Sequence, residues 1–467
     1  MMFLGSEVNM STTEKLAKFV IESKFDSYPE EASSQIKKSI LDGIGTCLES
    51  TIRPIGRIIS EFTEELGGNA DSRLLGSGIE TSAVNAAFAN GVLTHGADYD
   101  DSGKGFGHTA CVLMPTVLAL GEQYKLSGKS IMDAFTVGFE VGSKVGLNIG
   151  ADHYERGWHK TSTMGALGGA AAASRILDLS VDETRAALGI ATSTASGVRA
   201  NFGYMTKPYH PGNSARGGIV SAMLAKKGFS ANPSSIEGRH GYFAVFGDLQ
   251  ANLDGVTENL GNPLAICNAI RIKPWPCCAG THAALTCLEE ISAETKINPD
   301  DIAEVEVLIS QEPLEIAPNM WDPQTGFNGK FSLWYVIAAY LLDNKLDINS
   351  FSDRKVLRSK AQDLIGRINI KQHNDFAHLP SRAIESARFN EISIKMNDGT
   401  VLSHRVEIGR HLQGEDVKTK FRDNARLAGL SKAQIERLIG LIDNLEDVED
   451  VTSIVDASIA NVATGID

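Results

Sequence analysis

The run Gly165-Ala166-Leu167-Gly168-Gly169-Ala170-Ala171-Ala172-Ala173 holds a single side chain larger than a methyl group in nine positions. It lies inside a stretch, residues 164–179, whose apolar spacing is helical. Each glycine in a helix interior costs about 1 kcal/mol relative to alanine, and side chains this small bury little apolar area of their own. Such a helix is stable where neighbouring helices use the missing bulk to bring their backbones close. The run therefore predicts a central, fully buried helix of a bundle. With 42% hydrophobic and 22% charged residues, the chain has the apolar mass to surround it. At 467 residues it exceeds a typical single core, so two domains are expected.

Helical periodicity continues on both sides. Ser11-Thr12-Thr13-Glu14 has the pattern of a capping box, and residues 36–48, 81–90, 113–124, 131–148, 181–197 and 218–227 each carry 3.6-type spacing. The texture changes after Asn268. Residues 303–309 alternate and are β-branched, and residues 391–396 and 401–406 flank the turn Asn397-Asp398-Gly399-Thr400, which predicts a hairpin. Residues 365–370 read as a further strand, with helices near 283–293 and 333–343. Helix returns over 417–445. The expected fold is mainly α: a large all-helical bundle domain, discontinuous in sequence over 1–268 and 409–467, plus a smaller α+β domain over 269–408.

Several classes are disfavoured. A net charge of −14 argues against nucleic acid bound through a basic surface. The segment 1–7 has no basic, apolar signal character, and no stretch approaches roughly 18 uninterrupted apolar residues; no membrane span and a cytoplasmic location are expected. Six cysteines occur without a C-x-x-C pair, which suggests neither zinc, a disulfide framework nor an iron–sulfur cluster. Phosphate-loop and dinucleotide signatures are absent.

Four segments concentrate chemistry. Lys207-Pro208-Tyr209-His210-Pro211-Gly212-Asn213-Ser214-Ala215-Arg216 gathers cations on an expected loop leading into a helix, which suits an anionic ligand; a solvated basic loop would read the same way. His95-Gly96-Ala97-Asp98-Tyr99-Asp100-Asp101-Ser102, with Lys104 and His108 beyond it, fits an acid/base pair, a capped helix start or a metal site on His95, Asp98, Asp101 and His108. Gly157-Trp158-His159 precedes the small-residue helix, where a pocket floor or a simple capping loop would lie. Lys273-Pro274-Trp275-Pro276-Cys277-Cys278, ending at Thr281-His282, and Lys330-Phe331-Ser332-Leu333-Trp334-Tyr335 fall near the change of texture, where a cleft between domains would form.

Taken in order, these motifs resemble the 2-methylcitrate dehydratase family, MmgE/PrpD. The carriers are His95-x-x-Asp98-x-Asp100-Asp101 with His108, Gly157-Trp158-His159, Asn201-Phe202-Gly203-x-Met205-Thr206-Lys207-Pro208, and Lys273-x-x-Pro276 through Thr281-His282. The resemblance implies homodimers, no cofactor, no metal, and a site between the domains for a small di- or tricarboxylic acid. It implies Asp98, His108, His159, Lys207 and Tyr335 as catalytic residues: Lys207 and His159 binding carboxylate, His108 and Tyr335 exchanging protons, Asp98 orienting a base. Ser102, Lys104, Arg216, Lys273 and Cys278 are the accompanying substrate-binding candidates, and His210 takes a structural role. The expected reaction is dehydration of a 2-methylcitrate-like hydroxy acid; the alternatives are epimerisation or decarboxylation of a related polycarboxylate. Two departures stand out. His108 is followed by Thr109 where the family usually has His-Pro, and Cys278 stands where animal-type cis-aconitate decarboxylases carry an active-site histidine.

Overall fold

A computed structural model describes residues 10–310, 321–373 and 390–460; the segment 1–7, read above for a signal, lies outside them. The longer helices are α1 (Thr12–Glu22), α2 (Glu30–Thr51), α3 (Pro54–Leu66), α4 (Ala83–His95), α5 (Ala110–Tyr124), α6 (Gly128–Asn148), α7 (Lys160–Ile176), α8 (Val181–Thr192), α9 (Thr206–Lys226), α10 (His282–Glu294), α11 (Leu333–Asp343), α12 (Glu415–Leu427) and α13 (Lys432–Asp443). The small-residue run lies in α7, where residues 161–174 are all buried. It packs between α6 and α9. A methyl group placed on Gly218 of α9 would come within 2.4 Å of the Gly169 carbonyl carbon, and one on Gly138 of α6 within 2.8 Å of the Gly168 oxygen. Glycine at these contacts is what lets the three helices touch.

One hydrophobic core draws on residues between 32 and 272 and between 412 and 460, because Val417, Phe421 and Ala425 of α12 return to pack on α2; α1 and parts of α6, α7 and α8 form a further cluster beside it. A second core draws on residues 275–394 alone. Its sheet comprises β1 (Ile302–Ile309), β2 (Ile368–Gln372), β3 (Asn390–Met396) and β4 (Val401–Val406), ordered β2-β1-β3-β4. The β1–β2 pair is parallel; the other two are antiparallel. Buried Val305, Val307 and Ile309 alternate with more exposed neighbours, so one face of β1 joins α10 and α11 in that second core. Among the described residues no helix is long and apolar enough to cross a membrane.

One local expectation changes. Residues 207–216 are not a loop: α9 begins at Thr206 and contains them. Pro208 sits in the first turn, where its missing N–H costs nothing, and Pro211 removes only one helical hydrogen bond. At 100° per residue, Lys207 and Arg216 then point to opposite sides of the helix.

Candidate active site

The site forms where the end of α4, the start of α9 and the segments near 273–278 and 330–331 meet. Beyond His95, the last residue of α4, the chain turns through Asp98 in a left-handed conformation (φ 51°), a region that Asp and Asn tolerate better than other non-glycine residues. The turn presents a buried carboxylate to two buried ammonium groups. Asp98 Oδ1 accepts from Lys207 Nζ at 2.8 Å and from Lys273 Nζ at 2.9 Å. Burial works to raise the Asp98 carboxyl, but the charges of Lys207 and Lys273 outweigh it and hold it well below the usual range. Lys273 is likewise opposed by burial, and the Asp98 and Asp100 carboxylates keep its ammonium above the ordinary value. Lys207 Nζ also lies 5.0 Å from the ring centre of Phe202 and 4.9 Å from that of Phe331, faces that favour a desolvated cation.

Imidazoles line the other side. His95 Nδ1 donates to Asp100 Oδ1 at 2.7 Å. His108 Nδ1 lies 2.7 Å from the Asp101 backbone oxygen. A carbonyl can only accept, so His108 carries its proton on Nδ1. Burial holds the His108 imidazole well below its ordinary pKa, with Lys273 adding to the effect against the pull of Asp100. The ring is therefore neutral, and its Nε2 has a free lone pair. His108 keeps 14% of its side chain exposed, whereas His95 is fully buried. His159 Nδ1 meets His210 Nδ1 at 3.1 Å, so one ring donates and the other accepts, and burial lowers both. Ring centres of His95 and His159 stand 6.1 Å apart, and those of His95 and His108 4.4 Å.

His95 Nε2, Asp98 Oδ2 and Asp100 Oδ2 are buried with no hydrogen-bond partner. Unsatisfied polar atoms at this density are costly and mark functional sites. His95, Asp98, Asp100 and His108 also offer ligand atoms within 4.8 Å of one another, a set able to hold a cation. The ammonium groups of Lys207 and Lys273 already neutralise Asp98, which makes a second, divalent cation at that carboxylate electrostatically unfavourable.

Of the ten candidates named from sequence, Asp98, His108, His159, Lys207 and Lys273 converge here. Cys278 adjoins them, half-buried against Phe202 and Phe331. Tyr335 does not. It sits in the second core, its hydroxyl donating to the Ser350 carbonyl, because the first turn of α11 turns it inward towards Phe351. Arg216 is exposed on the far side of α9, near the Phe88 ring. Lys104 is exposed, and Ser102 is half-buried, its backbone paired with Arg271. Asp101, grouped above with a possible metal set, instead accepts from the Thr109 and Ala110 amides and caps the start of α5; Asp100 takes its place in the cluster. Five positions of the site were not among those ten: His95 and Asp100, legible only as part of a dense motif, and Phe202, Lys330 and Phe331, which stood in the motifs without a role of their own. Lys330 Nζ donates to the Ala97 and Pro276 carbonyls at 2.7 and 3.0 Å, and burial pushes its ammonium down to about 8.

Together these residues form a buried site in which paired lysines, a carboxylate and neutral imidazoles face one another, a set able to bind an anion and to exchange protons. The MmgE/PrpD N-terminal domain matches residues 14–252 and the MmgE/PrpD C-terminal domain residues 275–447. The chain belongs to the MmgE/PrpD family. It is 30% identical over 457 residues to a human cis-aconitate decarboxylase, covering 94% of this chain and 93% of that one. It is 26% identical over 485 residues to a cis-aconitate decarboxylase of Aspergillus terreus, covering 97% and 96%.

Proposed function

We propose that the chain is a lyase that removes a proton from the carbon beside a carboxylate of a small tricarboxylic acid, and that its reaction is dehydration of a 2-methylcitrate-like hydroxy acid. Family membership over nearly the whole chain supports the lyase class and the carboxylic acid substrate. The observation that carries the finer reading is the neutral His108, with its proton fixed on Nδ1 and its Nε2 lone pair free, beside two buried ammonium groups. A carbon acid next to a carboxylate is weak, and its anion needs positive charge on the carboxylate oxygens. In the proposed step Lys207 and Lys273 take the substrate carboxylate, and His108 Nε2 accepts the α-proton. The electron pair passes into the carboxylate as an enediolate, then returns to form the carbon–carbon double bond as the β-hydroxyl leaves. The imidazolium gives its proton to that hydroxyl, so one substrate yields one unsaturated acid and one water.

A second reading, decarboxylation of cis-aconitate, is favoured by the names of the relatives. That reaction must deliver a proton to carbon as CO2 leaves, and burial keeps His95, His108 and His159 neutral, which suits bases better than acids. Purified protein offered each acid separately distinguishes the two. The unsaturated tricarboxylate formed from 2-methylcitrate supports dehydration; CO2 formed from cis-aconitate, with no action on 2-methylcitrate, replaces it with decarboxylation.

A further inference from the structure

Three consecutive backbone carbonyls of the turn that carries Asp98 each accept a hydrogen bond from a different buried lysine. Ala97 O accepts from Lys330 Nζ at 2.7 Å, Asp98 O from Lys273 Nζ at 2.8 Å, and Tyr99 O from Lys420 Nζ at 2.6 Å. The lysines come from three remote parts of the chain: the approach to α11, the segment after residue 272, and α12. Each is 6% exposed or less. Each also grips a second group: Lys330 the Pro276 carbonyl, Lys273 the Asp98 carboxylate, Lys420 the Lys273 carbonyl and the Asp42 carboxylate.

A left-handed residue breaks the run of peptide planes, so carbonyls on either side of it cannot be satisfied by one helix or ladder. Buried carbonyls without donors would pull the turn apart or draw in water. Here the donors are ammonium groups, and the bonds are charge-assisted. Three buried cations thus serve residues 97–99, although of the three only Lys273 touches the Asp98 side chain as well.

We infer that Lys330 and Lys420 are positioning residues which, together with Lys273, clamp the 97–99 turn and so fix the Asp98 carboxylate against Lys207 and Lys273. The inference rests on the catalytic reading of that site, but the clamp itself has a readout independent of turnover. Lys330 is the cleaner member to test. Its two acceptors are both neutral carbonyls, whereas Lys420 also neutralises buried Asp42. An amide NH2 keeps two N–H groups for those two carbonyls without the charge. Lys330→Gln therefore preserves part of the clamp, and Lys330→Met removes it.

The experiment compares wild type, Lys330→Met and Lys330→Gln by hydrogen–deuterium exchange and by kinetics on the acid that wild type turns over. Lys330→Met is expected to speed exchange in peptides spanning 95–101 while leaving α7 protected as in wild type. It is expected to lower kcat by about 100-fold, the scale of a displacement near 1 Å in a reacting constellation, with a smaller change in KM; Lys330→Gln should recover part of both. For Lys420, the charge-neutral double variant Asp42→Asn/Lys420→Met should reproduce the faster exchange at 95–101. Exchange at 95–101 that matches wild type in Lys330→Met overturns the clamp, whatever kcat does. Wild type inactive on every polycarboxylate, with exchange still raised at 95–101, would overturn the proposed function and leave the clamp standing.

Discussion

Asp98→Asn isolates the electrostatics of the site. The substitution keeps the side-chain shape, and asparagine tolerates the left-handed conformation at φ 51° nearly as well as aspartate. What it removes is the charge that two ammonium groups share at 2.8 and 2.9 Å, both about 4% exposed. Breaking a buried pair by neutralising one member costs about 3–5 kcal/mol, because the partner is left buried and uncompensated. A chain of this length has an unfolding entropy of about 1 kcal/mol/K, so the thermal midpoint should fall by about 3–5 °C at pH 7. Asp98→Ala should fall about 1–2 °C further, since alanine adds the cost of a left-handed residue. Differential scanning calorimetry of the three proteins reads both steps. An Asp98→Asn midpoint within 1 °C of wild type would refute the claim that this carboxylate neutralises two buried lysines.

Acid should destabilise the fold through buried neutral histidines. Burial lowers His153 and His210 to about 4 and His282 to about 3, from 6.5. The unfolded chain binds protons first, so stability is lost as pH falls from 6.5 towards those values, by about 2 kcal/mol per histidine at pH 5. Asp101, whose burial pushes its carboxyl up to about 7, opposes this by about 3 kcal/mol at the same pH. Buried His95, His108 and His159 shift in the same sense as these three histidines, and Asp42 and Glu140 in the same sense as Asp101. The histidines outnumber the carboxyls, so the midpoint should fall between pH 7.5 and pH 5, and a flat or rising midpoint contradicts it. Arg216→Ala and Lys104→Ala, both at exposed positions, should leave kcat/KM within about twofold of wild type; a loss of about 100-fold for either would return that residue to the site. Cys278→His places an imidazole beside Phe202 and Phe331. It should raise CO2 release from cis-aconitate by about tenfold or more, the low end of what a positioned acid supplies, and no gain would remove this position from the choice between the two reactions.

The fold was legible where local chemistry and packing agree. The small residues of 165–173 announce close helix contact, and the alternation on either side of Asn397-Asp398-Gly399-Thr400 announces a hairpin that β3 and β4 form. The site was legible as segments but not as directions. Pro208 and Pro211 punctuate residues 207–216 like a loop, yet both are compatible with a helix start, and the helix then turns Arg216 away from Lys207. Asp100 and Asp101 are neighbours with the same chemistry. Which one faces the imidazoles depends on the left-handed turn at Asp98, and spacing does not encode that turn. Tyr335 offered a plausible hydroxyl, but the second core claims it. Lys420 lies about 320 residues from the turn that it holds and carries no local signature.

The central claim is proton removal beside a carboxylate by His108, assisted by Lys207 and Lys273. Its most direct measurement is turnover of 2-methylcitrate in D2O, followed by NMR, for wild type, His108→Gln and Lys207→Met. The account predicts formation of the unsaturated acid by wild type, and loss of about 100-fold or more in each variant with the fold retained. Wild-type rates in His108→Gln, or neither product nor deuterium exchange at the α-carbon in wild type, would contradict it.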